Sequence, residues 1–467
     1  SKRKCRKLLR SYLNKTVCRK LSQSFVEFMT DYRVKRTRAT YRKVAVLYLY
    51  SLTLLIMLGL VILITRDLFA HNALSLLAWV MAFFSLVNCG YRIDENSPAY
   101  LVLVIGILAF QFFFLFSAGS RKKHEAHGHE ALFSLDNENL KKILVIEVLV
   151  VAVVFACFLT QVPQVEQITT LLTTMKSGDS ENALKMPSWM GYAENIIEGF
   201  SIAIMFSYFK CDETIRRQNA KLVVLQVILG LACCFLKLSR NGFLWYLLPL
   251  VAVFVKGKKL SFRQCVYVLI VGSVAFLVIF FGFAWLKYGY RYSTFNFGEL
   301  FSDQFISYLA SPLVCFQLFF DSYQPSGTFS NTLRFFSAFN VALGLGDGAN
   351  ELVQQFIYIA NGVSSNVYTM FQYYCDDFGF VYSIIMSAIL GLMSGFCYKR
   401  ENVDALFGYL SCLLLYPAFM QFFQDQYFSL ASTWLQLLFV GVIVFRTKFV
   451  LHRVEAEQVN SSRELKC

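Results

Sequence analysis

The sequence predicts an all-α, polytopic transmembrane helical bundle of about 11–12 spans. Three observations predict it. Hydrophobic residues make up 57% of the 467 and charged residues 16%, where a soluble domain carries about 25% charged. The apolar residues gather in runs long enough to cross a bilayer, and the mean hydropathy is +0.51. Lys and Arg are divided unevenly among the segments between those runs. Seven prolines and 48 phenylalanines argue equally against disorder, coiled coil and collagen-like repeats.

The runs are 44–65, 73–91, 99–118, 143–162, 196–209, 222–238, 242–255, 264–286, 379–398, 404–421 and 427–445. Each must be helical, since lipid offers no partner to a free backbone N–H or C=O. Between them, 119–142, 210–221, 256–263, 399–403 and 446–467 carry 5, 4, 4, 2 and 5 Lys or Arg. The alternate set, 92–98, 163–195, 239–241, 287–378 and 422–426, carries 1, 2, 1, 3 and 0. The positive-inside rule therefore puts the first set in the cytoplasm and the second outside.

The chain divides into a basic N-terminal arm (1–43), a first part of the bundle (44–286), a large outer loop (287–378), C-terminal transmembrane helices (379–446) and a cytoplasmic tail (447–467). The arm holds 15 of the 44 Lys and Arg against only Glu27 and Asp31. Val17, Leu21, Phe25, Phe28 and Met29 fall at helical spacing, as in an amphipathic helix lying on anionic headgroups. Nucleic acid is not the expected partner. No cleavable signal peptide is visible, because no apolar core starts near residue 1. Counting spans back from 119–142 places the arm outside, against the positive-inside rule, so its side stays open.

Thirteen cysteines without a CxxC pair, mostly within apolar runs, argue against a zinc site or a disulfide framework. His124, His127 and His129 in HEAHGHE resemble a metal cluster, but they stand in a basic segment expected to be cytoplasmic, and no metal or other cofactor is expected. GLGDG (344–348) lacks the Lys-Ser/Thr of a phosphate loop and reads as a turn. Glu147 and Glu198 read as helix-end residues hydrogen-bonded locally, with an intramembrane polar relay as the alternative.

Two regions could carry chemistry. SRNG (239–242) stands between two apolar runs. There a guanidinium fork and a helix N-terminus would together suit phosphate oxygens, and a snorkelling arginine on lipid headgroups is the equal alternative. The loop 287–378 carries three bases (Lys287, Arg291, Arg334), seven acids (Glu299, Asp303, Asp321, Asp347, Glu351, Asp376, Asp377) and nine tyrosines, among them Tyr292 and Tyr368. Aromatic faces with scattered carboxylates suit a sugar cleft, and an interfacial aromatic belt is the plainer reading for most of the tyrosines. The loop has no histidine, so a base there has to be a carboxylate.

Four segments carry a resemblance to the oligosaccharide repeat unit polymerases of bacterial envelopes (Wzy-type O-antigen polymerases), relatives of the O-antigen ligases. They are SRNG (239–242), KYGYRYSTF (287–295) with Arg291, YLASPLVCF (308–316) and SSNVYTMFQYYCDDFGFVYS (364–383). The likeness runs from about residue 45 onward, and the basic arm departs from it. It implies a metal-independent, membrane-embedded glycosyltransferase of the GT-C-like class with no cofactor, in the bacterial inner (plasma) membrane with its site facing the periplasm. Such an enzyme transfers a growing glycan from undecaprenyl pyrophosphate onto the next lipid-linked repeat unit, building O-antigen or a related surface polysaccharide. Expected partners are those lipid-linked glycans, membrane lipids, and the chain-length regulator and flippase of the same pathway.

On this reading Arg240, Arg291 and Arg334 stabilise the leaving pyrophosphate. Asp377, Asp376, Glu351 and Asp321 compete as the base, with Asp377 slightly ahead because it belongs to the Asp-Phe-Gly segment, and structural helix capping at 376–377 is an equally good account of those two. Ser239, Arg334, Asp321, Asn366, Tyr368 and Tyr292 are expected to contact substrate. The alternatives are an O-antigen ligase-type transferase, which the missing histidine disfavours, and a non-catalytic lipid-linked oligosaccharide flippase or transporter.

Overall fold

A computed structural model describes residues 45–89, 91, 93–94, 97–119, 133–161, 187–237, 240–288, 301–344, 356–360, 363–447 and 450–453. The basic arm, the HEAHGHE segment and GLGDG beyond Gly344 lie outside the described residues. The chain is an all-α, multi-pass helical membrane protein. Its helices are α1 (Ala45–Thr65), α2 (His71–Asn88) and α3 (Pro98–Ala118), then strand β1 (Phe133–Leu135), then α4 (Asn137–Gln161), α5 (Ser188–Lys210), α6 (Glu213–Leu236), α7 (Arg240–Gly257) and α8 (Phe262–Tyr288). A π-helical turn, Phe301–Ile306, leads into α9 (Ser307–Phe320), followed by α10 (Arg334–Ala342) and a hairpin of β2 (Ile357–Ala360) and β3 (Val363–Ser365). The chain then forms α11 (Met370–Phe378), α12 (Phe380–Arg400), α13 (Ala405–Leu413), α14 (Leu415–Met420), α15 (Ala431–Arg446) and β4 (Leu451–Arg453), which pairs antiparallel with β1.

Among the described residues seven of these helices, α1, α2, α3, α4, α6, α8 and α12, are long and apolar enough to cross a membrane. Their outward faces are apolar: Leu63, Ile64, Phe116, Val271 and Val278 are all exposed. In water such a surface would aggregate, whereas in hydrocarbon it costs nothing. The apolar stretches Asn241–Gly257, Ala405–Met420 and Ala431–Arg446 are shorter. Helix α5 is mostly apolar and carries Glu194, Asn195 and Glu198 in its first half.

The bundle is centred on α3 and α12, which lie against each other backbone to backbone. A Cβ added at Gly391 would stand 2.4 Å from the Phe110 carbonyl oxygen, and one at Gly395 2.4 Å from that of Phe114. Ser387 Oγ donates to the Gly106 carbonyl at 2.8 Å and Ser117 Oγ to that of Leu392 at 2.9 Å. Small residues permit this approach, and the hydroxyls then reach carbonyls across the seam.

The connections meet in two groups. At one end Tyr398 OH donates to Asp67 (2.9 Å), Lys256 pairs with Glu401 (2.6 Å), Arg446 pairs with Asp404 (2.6 Å), and β1 pairs with β4. There Ser411 Oγ donates to Glu401 (2.8 Å), and buried His71 turns Nε2 to the Ser411 carbonyl at 2.6 Å. A carbonyl only accepts, so Nε2 carries the proton. At the other end the segment near Ser97 meets Asp321, Asn241 meets Tyr308, and Met370 meets Gln421. This division coincides with the one drawn by the Lys and Arg counts.

The segment 287–378 is not wholly an outer loop, as the sequence suggests. Within it Leu309, Ala310, Leu313, Val314, Cys315 and Phe316 of α9 are buried, in a helix packed on α2, α3 and α11. Fourteen residues interrupted by Pro312 fall short of a span, but they suit a helix buried in protein at the bundle's end.

Candidate functional site

The SRNG motif lies where α6 hands over to α7. Lys237 caps the end of α6, and Arg240 opens α7. Ser239 and the Arg240 side chain lie outside the described residues. The next residue is fixed: Tyr308 OH donates to Asn241 Oδ1 at 2.7 Å. The Tyr308 ring stacks on Phe423, 4.4 Å between centroids, and stands edge-on to Phe280 at 5.3 Å. The first residue of YLASPLVCF is thus clamped onto the SRNG segment.

Behind the motif is a buried ion pair. Lys237 Nζ donates to Glu198 Oε2 at 2.7 Å and to Asn195 Oδ1 at 3.0 Å. The Glu198 side chain is 0% exposed and that of Lys237 17%. Cys234 Sγ lies 3.5 Å from Glu198 Oε1 and 3.8 Å from the Gly242 carbonyl oxygen, joining the pair to the motif. Glu198 is therefore held across helices, not locally as its sequence position suggests. Glu147 likewise takes a hydrogen bond from Gln226 of α6. Burying either carboxylate alone would be costly, so each has recruited a partner from a neighbouring helix. Sequence reasoning missed Lys237, Asn195 and Glu194. The available signal was two glutamates at i, i+4 on α5, with a lysine three residues before Arg240.

The Asp-Phe-Gly segment ends α11 and begins α12. Gly379 sits between them at φ +85°, a conformation that costs glycine least. The turn lets Asp377 face back into the chain. Its Oδ1 accepts from Ser330 Oγ (3.2 Å), Asn331 N (2.9 Å) and Asn331 Nδ2 (3.0 Å), and its Oδ2 from Thr332 N (2.9 Å) and Thr332 Oγ1 (2.6 Å). Five donors use up the roughly four lone-pair sites of a carboxylate. This engagement favours the structural reading of Asp377 over its role as base, because little acceptor capacity is left for a substrate proton. Asp376 is half-buried, and its Oδ2 accepts from Asn331 Nδ2 at 2.8 Å. Both residues anchor the 326–332 turn through their carbonyls as well, which accept from Ser326 N (2.7 Å) and Gly327 N (2.9 Å).

Asp321 is bound elsewhere. It accepts from Ser97 Oγ, at the start of α3, at 3.2 Å and from Gln317 Nε2 at 3.5 Å, so it ties α9 to α3 rather than joining the Asp376–Asp377 turn. Arg334 opens α10 half-buried near Tyr373, and burial moves its guanidinium pKa below the ordinary value. Asn366 is half-buried between β3 and α11. Tyr368 is 6% exposed, and burial pushes its phenol up to about 12, so near neutral pH it is a hydrogen-bond donor and not a base. Arg291, Tyr292 and Glu351 lie outside the described residues. Among the described residues no three His, Cys, Asp or Glu side chains gather as metal ligands would.

No protein-family model, no curated protein and no solved structure matches the chain.

Proposed function

We propose that the chain is a polymerase of lipid-linked oligosaccharide repeat units, a membrane-embedded glycosyltransferase of the bacterial inner membrane with its site at the long-loop end, facing the periplasm. The observation that carries this reading is convergence. SRNG touches YLASPLVCF through Asn241 and Tyr308, and Cys315 of that segment reaches the Ser365 carbonyl at 3.9 Å, at the start of the Asp-Phe-Gly segment. Three segments spread over 145 residues thus meet at one end of the bundle. In this reaction the anomeric C–O bond to pyrophosphate breaks while an acceptor hydroxyl adds to the anomeric carbon. Charge grows on the leaving phosphate, where Arg240, at a helix N-terminus, would stabilise it.

The test is the glycan ladder of a deletion strain complemented with variants. Loss of long chains with single capped units retained supports polymerisation. Arg240→Ala should abolish polymer at normal membrane levels, and Arg240→Lys should leave a trace, since it keeps the charge without the planar fork. Removing one preorganised donor costs on the order of 100- to 1,000-fold in rate. If both variants build chains of normal length, the arginine is a lipid anchor. A lipid-linked oligosaccharide flippase or transporter is the second reading. It is favoured by the ionisable group Asp67, His71, Lys256 and Glu401 at the opposite end, two of them (His71 and Glu401) buried, and it predicts loss of single capped units as well.

A further inference from the structure

We propose that Glu194 takes the proton from the acceptor sugar hydroxyl, in a site formed with Lys237 and Glu198 beside the SRNG helix start. The inference rests on the polymerase reading and names a residue for its missing base.

The carboxylates around the long-loop end differ in one respect. Asp377 is engaged by five donors, Asp376 is held by Asn331, and Asp321 is held by Ser97 and Gln317. Each is occupied in fastening a neighbouring segment. Glu198 is fully buried and committed to Lys237. Glu194 is 7% exposed, yet it has no hydrogen bond among the described residues, and only the charges of Lys237 and Glu198 act on it. A buried carboxylate without donors is expensive. A hydroxyl brought by the substrate would supply the missing donor.

Its placement suits the task. Glu194 is one turn nearer the start of α5 than Glu198, at the level where Lys237 reaches Asn195. Gly191, on the preceding turn, has no described atom within 4 Å of where a Cβ would stand. Among the described residues the charged and titratable groups around it are Glu198 on its own helix and Lys237 and Cys233 on α6. Lys237 keeps the site from carrying two uncompensated negative charges.

The step balances simply. The acceptor oxygen forms its bond to the anomeric carbon as its proton passes to a Glu194 carboxylate oxygen. The anomeric C–O bond breaks, and its electron pair leaves on the pyrophosphate oxygen. The carboxylic acid then returns the proton to water, which resets the site.

The experiment uses full-length chain in membranes supplied with lipid-linked repeat units, with polymer length and initial rate read across pH. If the wild-type chain makes no polymer, the polymerase reading fails and takes this inference with it. If it does, Glu194→Gln should slow polymerisation by about 100- to 10,000-fold, the usual contribution of a general base, and remove the acid limb of the pH–rate profile. Glu194→Asp should retain measurable activity with that limb present. Lipid-linked substrate should still bind to Glu194→Gln, so the loss falls on turnover and not on half-saturation. Should Glu194→Gln fail to accumulate, Glu194→Asp decides the matter: a rate and pH profile equal to wild type overturn the proposal, since a shortened base must reach less well. Normal polymer from Glu194→Gln overturns it outright.

Discussion

Thr332 meets Asp377 twice, through its backbone N–H at 2.9 Å and its hydroxyl at 2.6 Å, both on the same carboxylate oxygen. The Thr332 hydroxyl also accepts from Tyr382 OH at 3.3 Å, so the turn, the end of α11 and the first turn of α12 are locked together. Asp377→Ala should strand the buried amides of Asn331 and Thr332 and destabilise the protein by about 2–4 kcal/mol. Thermal unfolding in detergent micelles measures it. A drop in melting temperature parallel to the drop in activity marks a fastening residue, whereas an unchanged melting temperature with activity gone would restore Asp377 as a candidate base.

The pair Lys237–Glu198 makes an asymmetric prediction. Lys237→Met leaves a fully buried carboxylate uncompensated and should cost about 3–5 kcal/mol. Adding Glu198→Gln removes the stranded charge and should recover much of that loss. Membrane accumulation and melting temperature of the single and double variants check it. Additive losses would mean that the two side chains do not depend on each other.

The seam between α3 and α12 has no room for a side chain at Gly391. Gly391→Val would push a Cβ onto the Phe110 carbonyl, a backbone atom that cannot turn aside. Overpacking of this kind costs about 1–3 kcal/mol or more, and the detergent-extracted protein should lose its monodisperse elution. Gly59→Val, where a Cβ meets nothing within 4 Å, is the matched control and should behave as wild type.

Asp404 caps α13 through Leu406 N (2.9 Å) and pairs with Arg446. Burial alone would raise its pKa, but the Arg446 hydrogen bond and charge and the two cap amides outweigh that and hold the carboxyl below its usual range. A lowered folded-state value stabilises above the unfolded pKa and is lost as pH falls through the folded one. The difference in melting temperature between wild type and Asp404→Asn should therefore be present at pH 7, at about 0.5 kcal/mol for so exposed a pair. It should close as the pH falls below about 3.9. A gap that persists in acid would assign the effect to side-chain shape instead of charge.

Sidedness has a direct test. Single cysteines at exposed positions of 301–344 should label from outside, and cysteines in 256–263 only after permeabilisation. The C-terminal end of α1 leads to Asp67 beside Tyr398, so the helix begins at the long-loop end. Labels in 1–43 should then follow those in 301–344. If both appear only after permeabilisation, the bundle is inverted and the periplasmic placement falls.

The helices were legible because hydrocarbon enforces a simple rule. Each of the eleven apolar runs became helix, from Ala45–Thr65 to Ala431–Arg446, with 404–421 broken into the two helices α13 and α14. Helix α9 was not legible, since Pro312 and fourteen residues make no span, and only the packing around Phe316 shows that it is buried. At the candidate site, SRNG marked the right junction. The Glu198–Lys237 pair escaped because its members are 39 residues apart and nothing local announces that α5 and α6 align there. Asp377 read equally as a base and as a structural residue from its neighbours in sequence, and the geometry that favours the second comes from Thr332, 45 residues earlier.

The contact between Ser387 and Gly106 spans 281 positions of chain, and it lies at the heart of the bundle. During synthesis at about 5–20 residues per second, α3 therefore waits roughly 15–55 s before α12 exists. For that interval its groove at Gly106 faces lipid or an insertion chaperone instead of its partner. Assembly must proceed from the outside inward, with the early helices held loosely until the last fifth of the chain is threaded between them. A truncation that stops before Phe380 should thus leave α1–α8 inserted in the membrane yet open to protease along their inner faces, and restoring residues through Arg446 should close them.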